Sequence, residues 1–503
     1  MPFSKTCKRV NAAMERVEWE DVQGIVLSGY GKLRRSAYLL WRFDRKDSDA
    51  EKRWLAGLAG RLTRADAAED EDVPTVKPLA APRAHLKASE QAAEGHQPAI
   101  NLALTARGLE RVGIGTPALD GFSAEFLEGM SPEPGTKEEV PRRSNVLGDL
   151  EKSSPRCWNW GGWQTNRDID GLLLLFAADE PSLDRLVAVE TKAMAGAAQP
   201  LPVVLRGRIH DDYKEHFGYL DGISQPIIEG EPEWTRREPP TAKQEHISRA
   251  KPGEFLLGYL NERRVRVGER PHAKGAKPTT ARDIRRNGTY LVFRQLEQDV
   301  AAFDDFVSHL AQDLGETKNW VGARLIGRTP EGDPLIPAPA NASENKNEFL
   351  YYHEDRFGLA CPIGAHIRRA NPRDSLKPDP DTALGLSKMH RIIRRGRPYG
   401  ERWEAAKDKP GSEAQRGMLF IALNADIAGQ FEIIQHSWLN NPHFAGLYAG
   451  TDPISHVVAG GDIITIQRRP TNIHIKRPAP FVRVRGGAYF FLPGIQALRA
   501  MAS

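Results

Sequence analysis

Cysteine is scarce in this chain. Only three of its 503 residues are cysteines, at Cys7, Cys157 and Cys361. They cannot all pair, and their spacing matches no zinc or redox motif. The sequence therefore favours a reducing compartment over a disulfide-stapled fold.

Long apolar runs and a strong charge imbalance are also missing. The longest apolar run, residues 172–178, is far too short to cross a bilayer. The 70 basic and 66 acidic residues leave a net charge of +4, which is too small to indicate a nucleic-acid partner. The first twenty residues are acidic early and have no apolar core, so we expect neither a secretory signal nor a membrane partner. We predict a cytoplasmic protein.

The sequence does contain a repeated pattern, in which a short strand-like apolar run is followed at once by an amphipathic helix. Similar spacing between the copies in the two halves indicates an internal duplication, with chance similarity of common patterns as the alternative. Extra strands are predicted at 202–208, 462–467 and 488–492. The four copies are 36–43 with 48–58, 172–178 with 181–192, 289–295 with 299–314, and 418–424 with 427–438.

Two strand–helix units with extra strands match the ferredoxin-like plan, so we predict an α+β fold. It would consist of duplicated ferredoxin-like halves with mostly antiparallel sheets and peripheral helices, of the dimeric α+β barrel type. We place the N-terminal half at 1–229 and the C-terminal half at 287–503. Residues 230–286, rich in proline, glycine and charge, are expected to form a connecting loop or lid. The polar stretches 65–94 and 126–156 are expected to be surface insertions.

A single carboxylate, Asp221, stands between two glycines in the segment HFGYLDGISQP, residues 216–226. Gly218 and Gly222 permit backbone angles that are closed to other residues. The apolar neighbours should desolvate the carboxylate and make it easier to protonate, which suits a proton shuttle. The alternative is an ordinary Asp-Gly turn in which Asp221 bonds only its own backbone.

A single histidine, His366, lies between an apolar approach and a basic exit in CPIGAHIRRANPRD, residues 361–374. A neutral imidazole there could ligate a metal through one nitrogen while a carboxylate or carbonyl orients the other. A purely structural histidine is the alternative. No His-Glu-x-x-His or Cys-x-x-Cys motif is present, so haem iron, which receives four nitrogens from the porphyrin, fits better than a closed zinc site. Without Cys-x-x-Cys-His, any haem would be bound non-covalently.

Positive charge is concentrated in HRIIRRGRPYG, residues 390–400. A solvated basic face would explain it. Alternatively, the isoleucines beside Arg394 indicate partial burial, where a guanidinium needs an anion such as a haem propionate or a developing oxyanion.

Taken together, these segments resemble the dye-decolourising (DyP-type) haem peroxidases over nearly the whole chain. GYLDG at 218–222 is similar to the family's GxxDG motif, residues 361–374 to its proximal-histidine segment, and RIIRRGRPYG at 391–400 to its distal-arginine segment. Residues 21–32, 100–113, 253–262 and the stretch that begins at 423 also resemble family signatures. The resemblance implies two ferredoxin-like halves with haem in the second.

The resemblance also implies roles for individual residues. Asp221 would be the distal acid–base, Arg394 the distal arginine, and His366 the axial ligand of a non-covalent haem b. Gly222 and Arg394 would contact the cofactor.

Further contacts follow from the same resemblance. Leu419 and Ile421 would lie over the distal face of the haem. A carboxylate is expected to bond the proximal histidine. Asp426 is our first choice for it and Glu432 our second, because both lie near the fourth strand–helix junction.

The implied activity is the reduction of hydrogen peroxide through a ferryl intermediate, with dyes, phenols or other organic compounds as reductants. Because Asp221 must be ionised to accept a proton, we predict activity at acidic pH that falls off below its pKa. The rival interpretations are a non-catalytic haem carrier or sensor and a haem-free module on the same fold. The natural reductant, any electron-relaying Trp or Tyr, and the oligomeric state, a homo-oligomer included, stay open.

Overall fold

The structure is a computed structural model of the chain. It describes residues 16–44, 47–67, 96–136, 139–165, 167–236, 239–267, 283–336, 346–376, 379–404, 415–455 and 463–503. Cys7, most of the predicted insertion at 65–94, and residues 268–282 of the predicted lid lie outside the described residues.

One antiparallel sheet of nine strands organises the molecule. Its strand order is β4-β1-β3-β2-β13-β7-β10-β8, and β9 also pairs with β10. The strands are β1 Arg35–Phe43, β2 Ala99–Leu104, β3 Gly171–Ala177, β4 Ala198–Arg208, β5 Ile227–Ile228, β6 Arg249–Ala250, β7 Thr289–Gln298, β8 Ile393–Arg394, β9 Arg397–Tyr399, β10 Gly417–Asn424, β11 Ile463–Ile466, β12 Ile473–Lys476 and β13 Val482–Leu492.

Helices follow the strands, and none in the described part of the chain is long and apolar enough to span a membrane. Two consecutive wide-turned (π-type) segments, Ile427–Glu432 and Ile434–Leu439, follow β10. The α-helices are α1 Ser48–Ala59, α2 Ala106–Arg111, α3 Thr116–Leu119, α4 Ala124–Glu128, α5 Arg142–Leu147, α6 Glu180–Met194, α7 Ala242–Ser248, α8 Val300–Leu314, α9 Lys318–Ile326, α10 Tyr351–Glu354, α11 His366–Ala370, α12 Pro380–Lys388 and α13 Ile495–Met501.

The strand order shows the duplication directly. The first four strands lie in the order β4-β1-β3-β2, and their later counterparts repeat it as β13-β7-β10-β8. All pairs in this sheet are antiparallel, as the ferredoxin-like plan requires. The predicted α+β fold is confirmed. The boundaries at 229 and 286 remain our proposal.

An aspartate begins each of the four repeated helical segments. Asp47, Asp179, Asp299 and Asp426 each accept a hydrogen bond from a backbone N–H of the first turn. A carboxylate at this position satisfies N–H groups that have no partner inside the helix and interacts favourably with the helix dipole. The same local signal therefore ends each strand and starts each helix.

The sheet separates two apolar cores. Alternate residues of the strands point to opposite faces, so neighbouring positions join different cores. Tyr38, Leu174, Phe293 and Phe490 lie in the core on the inner side of the curved sheet. The other core packs β1, β3 and β13 against helices that include α1 and α6.

The sheet curves until its first strand lies beside β9. A Cβ added to Gly207 of β4 would lie 3.1 Å from the Cβ of Arg397.

One predicted strand behaves differently from the expectation. Residues 462–467 were expected to extend a half-sheet, but β11 pairs only with β12 in a separate two-stranded ribbon. Residue 462 itself lies outside the described residues.

Candidate active site

Asp221 lies at the end of a closed turn. Its backbone N–H donates to Tyr213 O at 3.3 Å, and Gly222, with a φ of 79°, follows it. Asp221 Oδ1 accepts from Gly222 N at 2.7 Å, which is the local bond of an Asp-Gly turn. The same oxygen also accepts from Arg394 Nη1 at 2.8 Å. The carboxylate is therefore more than a turn residue.

Arg394 lies on the short strand β8, which pairs with β10 through Ala422. Its guanidinium also donates to Ser224 O at 3.4 Å. The neighbouring Arg395 and Arg397 donate to backbone carbonyls of the segment 25–33, and Arg397 is buried. The basic segment is thus partly buried rather than a solvated face.

His366 is the first residue of α11, and its Nδ1 lies 2.9 Å from Asp452 Oδ2. The predicted carboxylate partners were wrong. Asp426 instead caps the helical segment after β10 through Gly429 N at 2.8 Å. Glu432 accepts from Arg143 and from Tyr489 Oη. Both stay with the outer helical layer, while Asp452 reaches the histidine from a loop 86 residues further along the chain.

The pKa values of Asp221 and His366 depend on their charged partners, Arg394 and Asp452. Burial raises the pKa of Asp221, but the Arg394 guanidinium and the Gly222 N–H outweigh it and leave the pKa below its ordinary value. The expectation of an easily protonated carboxylate was therefore wrong, because desolvation is not the net effect. Burial lowers the pKa of His366, yet the negative Asp452 leaves it raised.

One cavity of about 350 Å³ brings these groups together. Asp221, Arg394 and His366 all line it, and Gly222 lies beside them. The three segments that resemble family motifs are far apart in the sequence, at 216–226, 361–374 and 390–400. Their convergence on one cavity makes it the candidate active site.

Leu419 and Ile421 do not line this cavity. Both are completely buried in the inner core of the sheet. Met418 and Phe420, the alternate residues of the same strand, face the cavity instead. The prediction was wrong by one residue of register, and a shift of one residue moves a strand's side chain to the opposite face.

Three buried arginines also line the cavity: Arg328, Arg373 and Arg391. Sequence reasoning named none of the three as a site residue. Their guanidiniums donate mainly to backbone carbonyls, and in the described part of the chain none has a salt bridge to a carboxylate. Burial, with repulsion from Arg373, lowers the pKa of Arg328 to about 10 and that of Arg391 to about 9. Such a cluster calls for an anionic ligand.

The sequence was compared with proteins of known function. The chain is 30% identical over 433 residues to the multifunctional dye peroxidase DyP2 of Amycolatopsis sp., an alignment that covers 80% of this chain and 82% of that protein. It is 27% identical over 526 residues to a dye-decolorizing peroxidase of Exidia glandulosa, which covers 99% of this chain and 89% of the relative. No family model matches the sequence.

The chain belongs to the dye-decolourising peroxidase family. Solved structures agree with this membership. The fold matches a DyP-type peroxidase of Anabaena sp. with a TM-score of 0.72 at 25% identity, over 96% of this chain and 94% of that one. It matches an ancestral D-type dye decolorizing peroxidase with a TM-score of 0.73 at 25% identity, over 97% and 100% of the two chains. The protein is a DyP-type peroxidase, as the sequence predicted.

The family implies a haem cofactor, and the residues of the cavity fit one. His366 uses Nδ1 for Asp452, and no other hydrogen bond to the ring is found among the described residues, so Nε2 is left for iron. The three buried arginines match the need of two propionates for cationic partners. Phe420, Phe431 and Ile434 supply apolar surface for a porphyrin.

Proposed function

We propose that this peroxidase reduces hydrogen peroxide with Asp221 and Arg394 as its catalytic residues and His366 as the axial ligand of a non-covalent haem b. Dyes, phenols or other organic compounds would be the reductants. The convergence of the acid, the cation and the histidine on one cavity carries this proposal. When bound, the haem would supply the iron that accepts the oxidising equivalents of peroxide.

The protein residues would hold the cofactor through two kinds of contact. His366 would bind iron through Nε2, with Asp452 fixing the ring and its tautomer. The propionates would pair with Arg328, Arg373 and Arg391. This pairing would offset the free-energy cost of burying the positive charge of these guanidiniums. Gly222 would allow close approach at the distal side, since it carries no side chain.

Asp221 would act as the acid–base. Its lowered pKa keeps the carboxylate ionised, so it can take a proton from one oxygen of hydrogen peroxide and return it to the other. Water would then leave as the O–O bond breaks, and both the two electrons and the place for the remaining oxygen would come from the haem when it is bound. Arg394, which already contacts the carboxylate, would donate to the oxygen on which negative charge develops.

The test uses two variants and a matched control. Asp221→Asn should retain haem and slow the peroxide-induced absorbance change by at least about 10²-fold, since a positioned acid–base contributes about 10² to 10⁴. His366→Ala should lose the Soret band of the parent. Asp212→Asn breaks another Asp–Arg ion pair, with Arg402, nine residues earlier in the chain, and should react like the parent.

The rival function, a haem carrier or sensor, predicts a different result. It needs His366 but not the acid, so Asp221→Asn would react with peroxide at the parental rate. That result would remove the catalytic assignment and leave haem binding intact.

We also propose a cytoplasmic location, which the free thiols of Cys157 and Cys361 support. A homo-oligomer stays a prediction for light scattering to test.

A further inference from the structure

Gln225 bonds the main chain of Arg394 through both ends of its amide. Oε1 accepts from Arg394 N at 3.1 Å, and Nε2 donates to Arg394 O at 3.0 Å. The strand β8 has only two residues and is the last in the sheet order of the described residues. An edge strand presents N–H and C=O groups that need partners. The Gln225 amide supplies one donor and one acceptor, as a neighbouring peptide would.

The same short segment also holds the guanidinium. Arg394 Nη1 donates to Asp221 Oδ1 at 2.8 Å, and Nη2 donates to Ser224 O at 3.4 Å. Residues 221–225 therefore contact both the main chain and the side chain of the arginine. We propose that Gln225 is a positioning residue that fixes Arg394 so that its guanidinium stays against the Asp221 carboxylate. This inference rests on the catalytic roles proposed above for Asp221 and Arg394.

The N-terminal half contains the same arrangement without the chemistry. Gln23 Oε1 accepts from Leu102 N at 2.8 Å, and Gln23 Nε2 donates to Leu102 O at 2.9 Å. Leu102 lies on β2, which occupies the place in its half that β8 occupies in the other. The duplication thus carries a glutamine clamp in each half. In one half the clamped residue is a buried leucine, and in the other it is Arg394.

This internal pair provides a matched experiment on the haem-loaded enzyme. Gln225→Met keeps the length of the side chain and removes both hydrogen bonds. We expect haem content and the resting spectrum to persist, while the rate of the peroxide-induced absorbance change falls about ten- to a hundredfold, as a small misplacement of a catalytic group can cost. Gln23→Met should lower the melting temperature and leave that rate per haem unchanged.

The pH profile separates positioning from general destabilisation. Asp221 is faced by Arg394, Glu215 and His366. If Gln225→Met lets the guanidinium move away, the carboxylate loses its cation, and the acid limb of the rate profile moves to higher pH. Gln23→Met should leave the acid limb in place.

A double variant completes the test. Adding Gln225→Met to Arg394→Leu should slow the reaction no further, because the glutamine acts through the arginine. A further tenfold loss, or a Gln225→Met enzyme with the parental rate and acid limb, would overturn the proposal. If Gln225→Met does not fold, Gln225→Glu keeps the acceptor and the shape, and a parental rate and acid limb there would overturn it equally. If Arg394→Leu itself reacts at the parental rate, the proposed function fails instead.

Discussion

Replacing Asp452 by asparagine should weaken haem binding through the tautomer of His366. Asp452 is fully buried, and its neighbours hold its pKa well below the ordinary value, with the facing His366 ring the main neighbour that offsets burial. An ionised carboxylate only accepts hydrogen bonds, so His366 Nδ1 must carry the proton. Nε2 then keeps the lone pair that iron requires.

The geometry around Asp452 dictates how asparagine would sit. Oδ1 accepts three bonds, from Ile454 N at 2.9 Å, Ser455 N at 2.7 Å and Ser455 Oγ at 3.0 Å. The amide oxygen of Asp452→Asn must stay there, which turns the NH₂ group toward His366. Two donors would then face each other unless the imidazole moves its proton to Nε2.

Both outcomes, the facing donors and the transfer of the proton to Nε2, weaken the binding of iron by His366. Changing the carboxylate partner of a metal-binding histidine typically costs about 10- to 100-fold in affinity, or about 1.4 to 2.7 kcal/mol. The assay is haem transfer to excess apomyoglobin, followed at the Soret band. We expect haem loss from Asp452→Asn to be faster by about that factor.

Asp426→Asn is the matched control, because Asp426 is the partner expected from sequence. It caps a helix through Gly429 N, and asparagine caps a helix about as well as aspartate. This variant should lose haem at the parental rate. Parental haem retention in Asp452→Asn, with faster loss from Asp426→Asn, would refute the geometry described above.

Three further predictions concern charge and register. Arg394→Leu should move the acid limb of the peroxide reaction to higher pH in stopped-flow profiles. The reason is that Asp221 must be ionised, and Arg394 holds the pKa of Asp221 below the ordinary value. An acid limb that does not move would contradict this pairing. Leu419→Ala should destabilise the fold by about 2 to 5 kcal/mol in urea unfolding and leave the Soret band unchanged, because Leu419 lies in the inner core. Phe420→Ala should shift the Soret band, because Phe420 lines the cavity. The reverse pattern would support the sequence prediction that Leu419 lies over the haem. Burial raises the pKa of Glu254 to about 7 from 4.5, so the folded state holds a proton that the unfolded state has released. The free energy of unfolding should therefore fall by up to about 3 kcal/mol as the pH rises from 4.5 to 7. Glu254→Gln should flatten this pH dependence in urea unfolding, and an unchanged slope would exclude Glu254 as its source.

The sequence predicted the fold well where local signals repeat. Each strand–helix unit carries an apolar run and a capping aspartate, such as Asp179 and Asp299, and both signals act within a few residues. The ribbon strand β11 is also a short, mostly apolar run, but it pairs only with β12. Pairing partners depend on contacts across the whole chain, which local patterns do not encode.

The site was predictable where residues stand in short motifs and not where they meet through tertiary contacts. Asp221, His366 and Arg394 each lie in a distinctive segment, and the structure brings all three to one cavity. Asp452 stands in an ordinary turn after Thr451, and no periodicity marks it as the partner of a histidine 86 positions earlier.

The register error has a similar origin. In the run MLFIALN both faces of the strand are apolar, so alternation does not say which face meets the cavity. The pKa error at Asp221 arose because burial was visible from its apolar neighbours, whereas the arginine 173 positions away was not.

The approach of β4 to β9 bears on how the protein behaves at high concentration. Strands at the border of a sheet can recruit strands from other molecules, which is a common route to aggregation. Here the two borders shield one another where Gly207 lies against Arg397, at a spacing that leaves no room for a larger side chain. A bulky residue at position 207 would separate them, and we expect it to promote self-association of the protein.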